Sequence, residues 1–321
     1  DASTLGKIEI QGKDAREFLN RVYTNAWTKL EPGKCRYGLM CKDDGMVMDD
    51  GVTACLAENH FHMTTTTGGA AGVLDWMEMW HQTEWPDLEV YFNSTTDHWA
   101  AMTVTGPNAR KLLAELADID MSAEAFPYMD WREAKVAGVP ARIFRISFTG
   151  ELSYEVNVQA NYAMHVWKAL FDKGAKYDLT PYGTETMHVL RAEKGFIIIG
   201  QETDGSVTPE DLGMQWCVGY KKPYSWIGRR ALARPDTKRS DRKQLVGLKP
   251  VDRDKSFAAG AHLLKENVKP STLNDQGWVS SVCHSPTLGH TIGLAFLKSG
   301  RERLGEKIVV WDGLRGSEVL A

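Results

Sequence analysis

The sequence predicts an α+β fold closed by a small C-terminal β-barrel, and three observations carry that expectation. Asp-Gly pairs between short apolar runs mark hairpins among the first sixty residues. Stretches with apolar residues at helical spacing alternate with strand-like runs as far as Gly195, and beyond about residue 240 only short strand-like runs with Gly breaks remain. The expected division is an α+β core over 1–235 and a barrel over 240–321.

Taken in order, Leu5 to Gly12 alternates apolar and polar residues and reads as a strand, and Ala15, Phe18, Leu19 and Val22 have the spacing of a short helix. From Gly33 to His62 short runs are broken by Asp43-Asp44-Gly45 and Asp49-Asp50-Gly51, both read as turns. A Thr and Gly tract, Thr64 to Gly69, leads into the helical pattern Val73 to Trp80. Trp85 to Phe92 and Trp99 to Val104 read as strands, with a helix over Pro107 to Ala117. Arg142 to Phe148 and Tyr154 to Val158 form a hairpin around Thr149-Gly150-Glu151. Asn161 to Phe171 and Thr184 to Lys194 are helices ending near Gly174 and Gly195. Between Lys221 and Lys243 nine basic residues stand against two acidic ones, which suggests a boundary. Five or six short strands then follow, a spacing that suggests a small barrel.

Composition narrows the function. A net charge of -4 offers no global positive field for a phosphate backbone, which argues against nucleic acid. Five widely spaced cysteines without a C-x-x-C pair fit neither a disulfide framework nor a structural zinc site, so no metal is expected and a reducing cytoplasm is the expected location. The densest apolar run, Phe196 to Ile199, is far short of a membrane span, so no membrane association is expected. The start at Asp1 carries no signal-peptide pattern and reads as a cut through a longer polypeptide. G-x-G-x-x-G, Walker A, H-E-x-x-H and G-x-S-x-G motifs are all missing, so the chain lacks the usual nucleotide-cradle and hydrolase fingerprints. His60 and His62 on a strand, and the eleven tryptophans, read as ordinary surface or core residues.

Two acidic positions remain. Asp49-Asp50 is either a pair of turn formers or a site in which burial shifts one carboxylate's pKa. Glu193 stands at a helix C-terminus, where the macrodipole disfavours negative charge, and reads either as a surface ion pair with Arg191 or Lys194 or as a functional carboxylate.

Several segments carry a resemblance. Gly6 to Ala15, Phe18 to Asn25, Gly33 to Gly38, Asp49-Asp50-Gly51, Ser147 to Glu155, Leu190 to Gly195, Ile227-Gly228-Arg229 and Ser285 to Gly289 together resemble the glycine-cleavage T-protein family of folate-binding aminomethyltransferases. Within it, Gly33 to Gly51, Thr64 to Ala71, Gln82 to Asp87 and Gly200 to Pro209 are most similar to the C-terminal half of sarcosine oxidase α subunits. The resemblance covers nearly the whole chain and implies a three-part α+β ring enclosing the folate, ending in a barrel expected to continue past Ala321. It implies tetrahydrofolate as the cofactor, with flavin and NAD bound elsewhere in a heterotetramer whose other subunits are the partners.

By resemblance, Asp50 is the catalytic acid, Tyr37 an aromatic lining its site, and Glu193 the carboxylate that accepts paired N–H donors from the pterin. Tyr154 packs or hydrogen-bonds near the ring, and Lys221 or Lys222 meets the glutamate tail. Ser153 replaces the Gly usual in the family's motif. The implied reaction captures the carbon of oxidised sarcosine as 5,10-methylenetetrahydrofolate and releases glycine. The alternatives are a stand-alone glycine-cleavage aminomethyltransferase, a domain that only joins subunits, and a non-catalytic folate-binding scaffold. The scaffold would carry a Cys after Lys-Gly, where this chain has Phe196.

Overall fold

Ile8 and Ile10 put one face of β1 (Gly6–Gln11) into the core, while Lys7 and Glu9 on the opposite face are buried as well, so this strand is covered on both sides. A computed structural model describes residues 1–271 and 274–321. Helix α1 (Ala15–Val22) follows with Phe18, Leu19 and Val22 fully buried, as its spacing predicts. Strands β2 (Cys35–Cys41) and β3 (Val47–Ala57) flank the Asp43-Asp44-Gly45 turn, and β4 (His60–Thr65) returns antiparallel to β3. Helix α2 (Ala70–Glu84) and the short β5 (Tyr91–Ser94) complete a sheet ordered β2-β3-β4-β1-β5.

A second sheet is built from β6 (Trp99–Thr105), β7 (Trp131–Val136), β8 (Val139–Phe144) and β9 (Ser153–Gln159) in the order β6-β9-β8-β7. Helices α3 (Ala109–Ala114) and α4 (Ala163–Gly174) cover one of its faces, where Leu112, Leu113, Val166 and Leu170 share a core with Val136, Ile143, Val156 and Val158. The remaining helix, α5 (Thr184–Lys194), stops at Gly195 in the left-handed conformation that a C-terminal glycine supplies. Six strands follow: β10 (Lys243–Leu248), β11 (His262–Leu264), β12 (Asp275–Ser285), β13 (His290–Lys298), β14 (Val309–Asp312) and β15 (Ser317–Leu320). They form one sheet ordered β10-β13-β12-β11-β14-β15 around Leu263, Val279, Ala295 and Val310. Val251, just past β10, donates its N–H to the carbonyl of Leu320 on the last strand, which carries the ladder round toward closure.

The chain divides into two units, neither contiguous in sequence. The first holds Asp1–Met40, Asp49–Pro181 and Gly219–Ile227, and the second Cys41–Met48, Tyr182–Val218 and Gly228–Ala321.

Some expectations are corrected. Asp49-Asp50-Gly51 is no turn but lies within β3. Its acids take partners distant in sequence, and Gly51 passes so close to Thr64 that a Cβ would fall 1.9 Å from the Thr64 carbonyl oxygen. Of the Trp85 to Phe92 strand only Tyr91 and Phe92 are extended in β5, which runs on to Ser94, because a turn closes from Leu88 N–H to the Trp85 carbonyl around Pro86. The Arg142 to Phe148 strand ends at Phe144, and the Pro107 to Ala117 helix is shorter at both ends. Strands β7 and β15 are additional. The five cysteines are free of one another, four of them buried.

Candidate functional site

In the first unit, strand alternation sends Asp49 and Asp50 to opposite faces of β3. Asp49 is 1 % exposed and belongs to the fold. Its Oδ1 accepts the N–H of Asp50 at 2.8 Å and that of Thr66 at 3.3 Å, and its Oδ2 accepts the Thr66 hydroxyl at 3.1 Å. Thr66 Oγ1 in turn accepts the N–H of Gly69, so this acid fixes the threonine-rich tract that opens α2. Asp50 is left with a different environment. The Tyr37 hydroxyl, brought by β2, donates to its Oδ2 at 2.6 Å. Burial pushes the Asp50 carboxyl up to about 6, with the Asp49 charge adding to the rise and the Tyr37 hydrogen bond opposing it. A carboxyl poised there can hold and release a proton near neutrality.

In the second unit, Glu193 projects from the last turn of α5. Its Oε1 accepts the Ser285 hydroxyl at 2.5 Å and the Thr287 N–H at 3.3 Å, while Oε2 accepts the Thr287 hydroxyl at 3.0 Å. Partial burial pushes its carboxyl up, but the bonds from Ser285 and Thr287 outweigh this and hold it below the usual glutamate range. The ion pair considered for Arg191 goes elsewhere. Arg191 is 1 % exposed and pairs at 2.8 Å with Glu202, itself 0 % exposed. Arg191 also donates to Ser281 Oγ at 2.7 Å and to the Phe196 carbonyl at 3.0 Å. Glu202 accepts further bonds from the Ile198 N–H and from the hydroxyls of Ser280 and Ser281.

The other expected residues divide sharply. Tyr154 is 0 % exposed, in the core beneath α3 and α4. Its hydroxyl accepts from Arg110 Nε at 3.0 Å and its ring meets Phe126 edge to face, so its contacts are those of a core residue. Lys222 is 7 % exposed, and its ammonium donates to the carbonyls of Asn20, Tyr23 and Asn25 at the end of α1. Lys221 is exposed and is the lysine of the two that can meet a solvent-borne anion. Lys222→Met is therefore expected to cost about 2–3 kcal/mol in urea unfolding, because three carbonyls, those of Asn20 and Tyr23 in buried bonds, lose a charged donor, whereas Lys221→Met should leave stability unchanged.

The strand carrying His60 and His62 also hides a feature that spacing did not single out. Glu9 Oε1 accepts from Arg142 at 2.6 Å and lies 2.9 Å from His62 Nδ1, and its Oε2 contacts His60. Burial opposes ionisation of Glu9, but His62 and Arg142 overcome it and hold the carboxyl at about 2. His62 stacks on Phe144 with centroids 5.5 Å apart, and burial holds its ring below the usual histidine range. The sequence hint is the charged pair Lys7 and Glu9 at alternate positions of β1, where an amphipathic strand would place its solvent face.

Residues 1–222 match the GCVT N-terminal domain family, and residues 243–319 the glycine cleavage T-protein C-terminal barrel domain family. The chain is 53% identical to a sarcosine oxidase subunit alpha of Corynebacterium sp. (strain U-96), over 95% of this chain and 32% of that protein. It is 46% identical to the subunit alpha of Rhizobium meliloti (strain 1021), over 100% of this chain and again 32% of that protein. The chain thus spans about a third of the length of these relatives. An aminomethyltransferase of Bacillus subtilis (strain 168) is 32% identical over 97% of this chain and 82% of its own length. The crystal structure of glycine cleavage system aminomethyltransferase T from Bartonella henselae shares the fold, with a TM-score of 0.85 at 22% identity over 100% of this chain and 82% of that one.

Proposed function

This chain belongs to the glycine cleavage T-protein family, and from that premise we propose that it is the tetrahydrofolate-binding, one-carbon-accepting part of a sarcosine oxidase α subunit. The observation that carries the reading is the Tyr37–Asp50 pair, 2.6 Å apart, with Asp50 raised to about 6. Tetrahydrofolate, when bound, supplies the nucleophilic amine that takes up a carbon at the formaldehyde level, with 5,10-methylenetetrahydrofolate as the product.

Each of the candidate residues has chemistry that suits that ligand. A carboxylate fixed on both oxygens, as Glu193 is, suits the paired N–H donors of a pterin edge. Exposed Lys221 suits the carboxylates of a glutamate tail. Asp50, oriented by Tyr37, stabilises positive charge next to it and accepts or returns a proton at its carboxylate oxygens. Sarcosine oxidation and glycine release fall to the assembled complex, with the other sarcosine oxidase subunits as partners and an imine as the incoming small molecule.

The reading of a stand-alone aminomethyltransferase is favoured by one observation, the 82% coverage of the Bacillus subtilis protein. The 53% identity to a sarcosine oxidase subunit, against 32%, weighs the other way. Calorimetry of tetrahydrofolate binding to this chain tests the proposal. Glu193→Gln is expected to weaken binding by about 2 kcal/mol, roughly 30-fold, the scale of a lost charged hydrogen bond. No binding to a chain that circular dichroism finds folded would defeat the folate reading.

A further inference from the structure

We infer that Ser285 and Thr287 are positioning residues for the Glu193 carboxylate, fixing its direction for a ligand bearing paired N–H donors. The inference rests on the folate reading above. Its ground is how the β12–β13 turn is built. Ser285 closes β12, and the N–H of Gly289 returns to the Ser285 carbonyl at 2.9 Å, so Pro286-Thr287-Leu288 forms a fixed loop before β13.

Within that loop the proton of the Ser285 hydroxyl has one destination. Its oxygen accepts the N–H of Leu288 at 3.0 Å, which leaves its own hydrogen to be donated to Glu193 Oε1 at 2.5 Å. The hydroxyl of Thr287 donates to the other oxygen, Oε2, at 3.0 Å. A hydroxyl donor on each oxygen fixes the carboxylate's rotation about its last bond, which a single donor would leave free. Ser285 is 0 % exposed, so its bond is sheltered from water, whereas Thr287 stands at the surface.

The helix is anchored one step back as well. Arg191 and Glu193 lie two residues apart on α5, and their partners Ser281 and Ser285 lie four apart on β12, so two ties hold this end of the helix to one strand. Carboxylate acceptance is also lopsided. Among the described residues Oε2 carries a single donor, and the second donor on Oε1 is the long 3.3 Å Thr287 N–H, so both oxygens retain capacity for an incoming donor pair.

The pH dependence has a defined sign. Ser285 and Thr287 lower the Glu193 carboxyl, and Cys283 on β12 is near enough to feel its charge. Removing either hydroxyl raises that carboxyl, so the acid limb of ligand binding moves to higher pH.

The test measures tetrahydrofolate affinity between pH 4 and 8 for the wild type, Ser285→Ala, Thr287→Val, Thr287→Ser and Glu193→Gln, all in the full chain. In parallel, carbon-13 NMR follows the Glu193 carboxyl titration without ligand. Expected are a 5- to 20-fold loss of affinity at pH 7 for Ser285→Ala and Thr287→Val, an upward move of the acid limb and of the NMR midpoint, and recovery in Thr287→Ser. If Glu193→Gln loses affinity while Ser285→Ala and Thr287→Val bind like the wild type with an unmoved midpoint, the inference fails and the folate reading stands. If the folded wild type binds no tetrahydrofolate, the folate reading fails and takes the inference with it.

Discussion

Arg191→Met is expected to lower the unfolding free energy by about 3–5 kcal/mol, read as a fall in the urea midpoint of the full chain. The reason is the environment of its partner. Glu202 is 0 % exposed, and with the guanidinium gone it is a buried charge left with hydroxyl and amide donors alone. Ser281 loses a partner at the same time, and so does the Phe196 carbonyl, which α5 presents after Gly195. The double variant Arg191→Met with Glu202→Met should recover a large part of the loss, since removing both charges removes the desolvation cost with them. If the single variant unfolds at the wild-type midpoint, the pair is not a significant term in stability.

Asp50→Asn should do two opposite things. One-carbon capture should fall by about 10²- to 10⁴-fold, the scale of a lost general acid or base. Stability at pH 8 should rise. The folded carboxyl is raised to about 6 from 3.8, so the folded state holds a proton more tightly than the unfolded chain. Where the folded state binds more protons, stability falls as pH rises, here between about pH 4 and 6, and the full cost persists above. A shift of that size corresponds to at most about 3 kcal/mol, and partial solvent access reduces the realised value to about 1–2 kcal/mol. Asparagine carries no such charge and can still accept the Tyr37 hydroxyl through its amide oxygen. Melting temperatures of wild type and variant should therefore diverge at pH 8 and converge near pH 4. Equal melting curves at both pH values would show that Asp50 is not held in a desolvated site.

The sequence was most legible where periodicity and caps are local. Helix α5, its Gly195 stop and the Asp43-Asp44-Gly45 hairpin are set by residues within a few positions of each other. Strand β7 was hidden because it is the edge of its sheet, and Arg132, Glu133 and Lys135 give it no apolar alternation. Asp49-Asp50-Gly51 misled for the opposite reason, since a strong local turn signal was overruled by Thr66, Tyr37 and the close passage of Thr64. The run of basic residues before β10 also reads differently in three dimensions. Lys238 meets Glu210 and Arg242 meets Asp211, so two acids from outside the run offset part of the excess that it shows alone. The candidate acids Asp50 and Glu193 stand out in the sequence and take their roles from the resemblance, but the hydroxyls that bond them lie up to 94 residues away and carry no local mark.

The ammonium of Lys222 has a consequence for how this protein is made. It bonds the Asn20 carbonyl across 202 residues of chain, together with those of Tyr23 and Asn25. A ribosome adding about 5–20 residues per second needs on the order of 10–40 s to travel from one partner to the other. For that interval the end of the first helix emerges with its carbonyls open to water, and the nascent chain must wait for the lysine before that end of the helix is sealed.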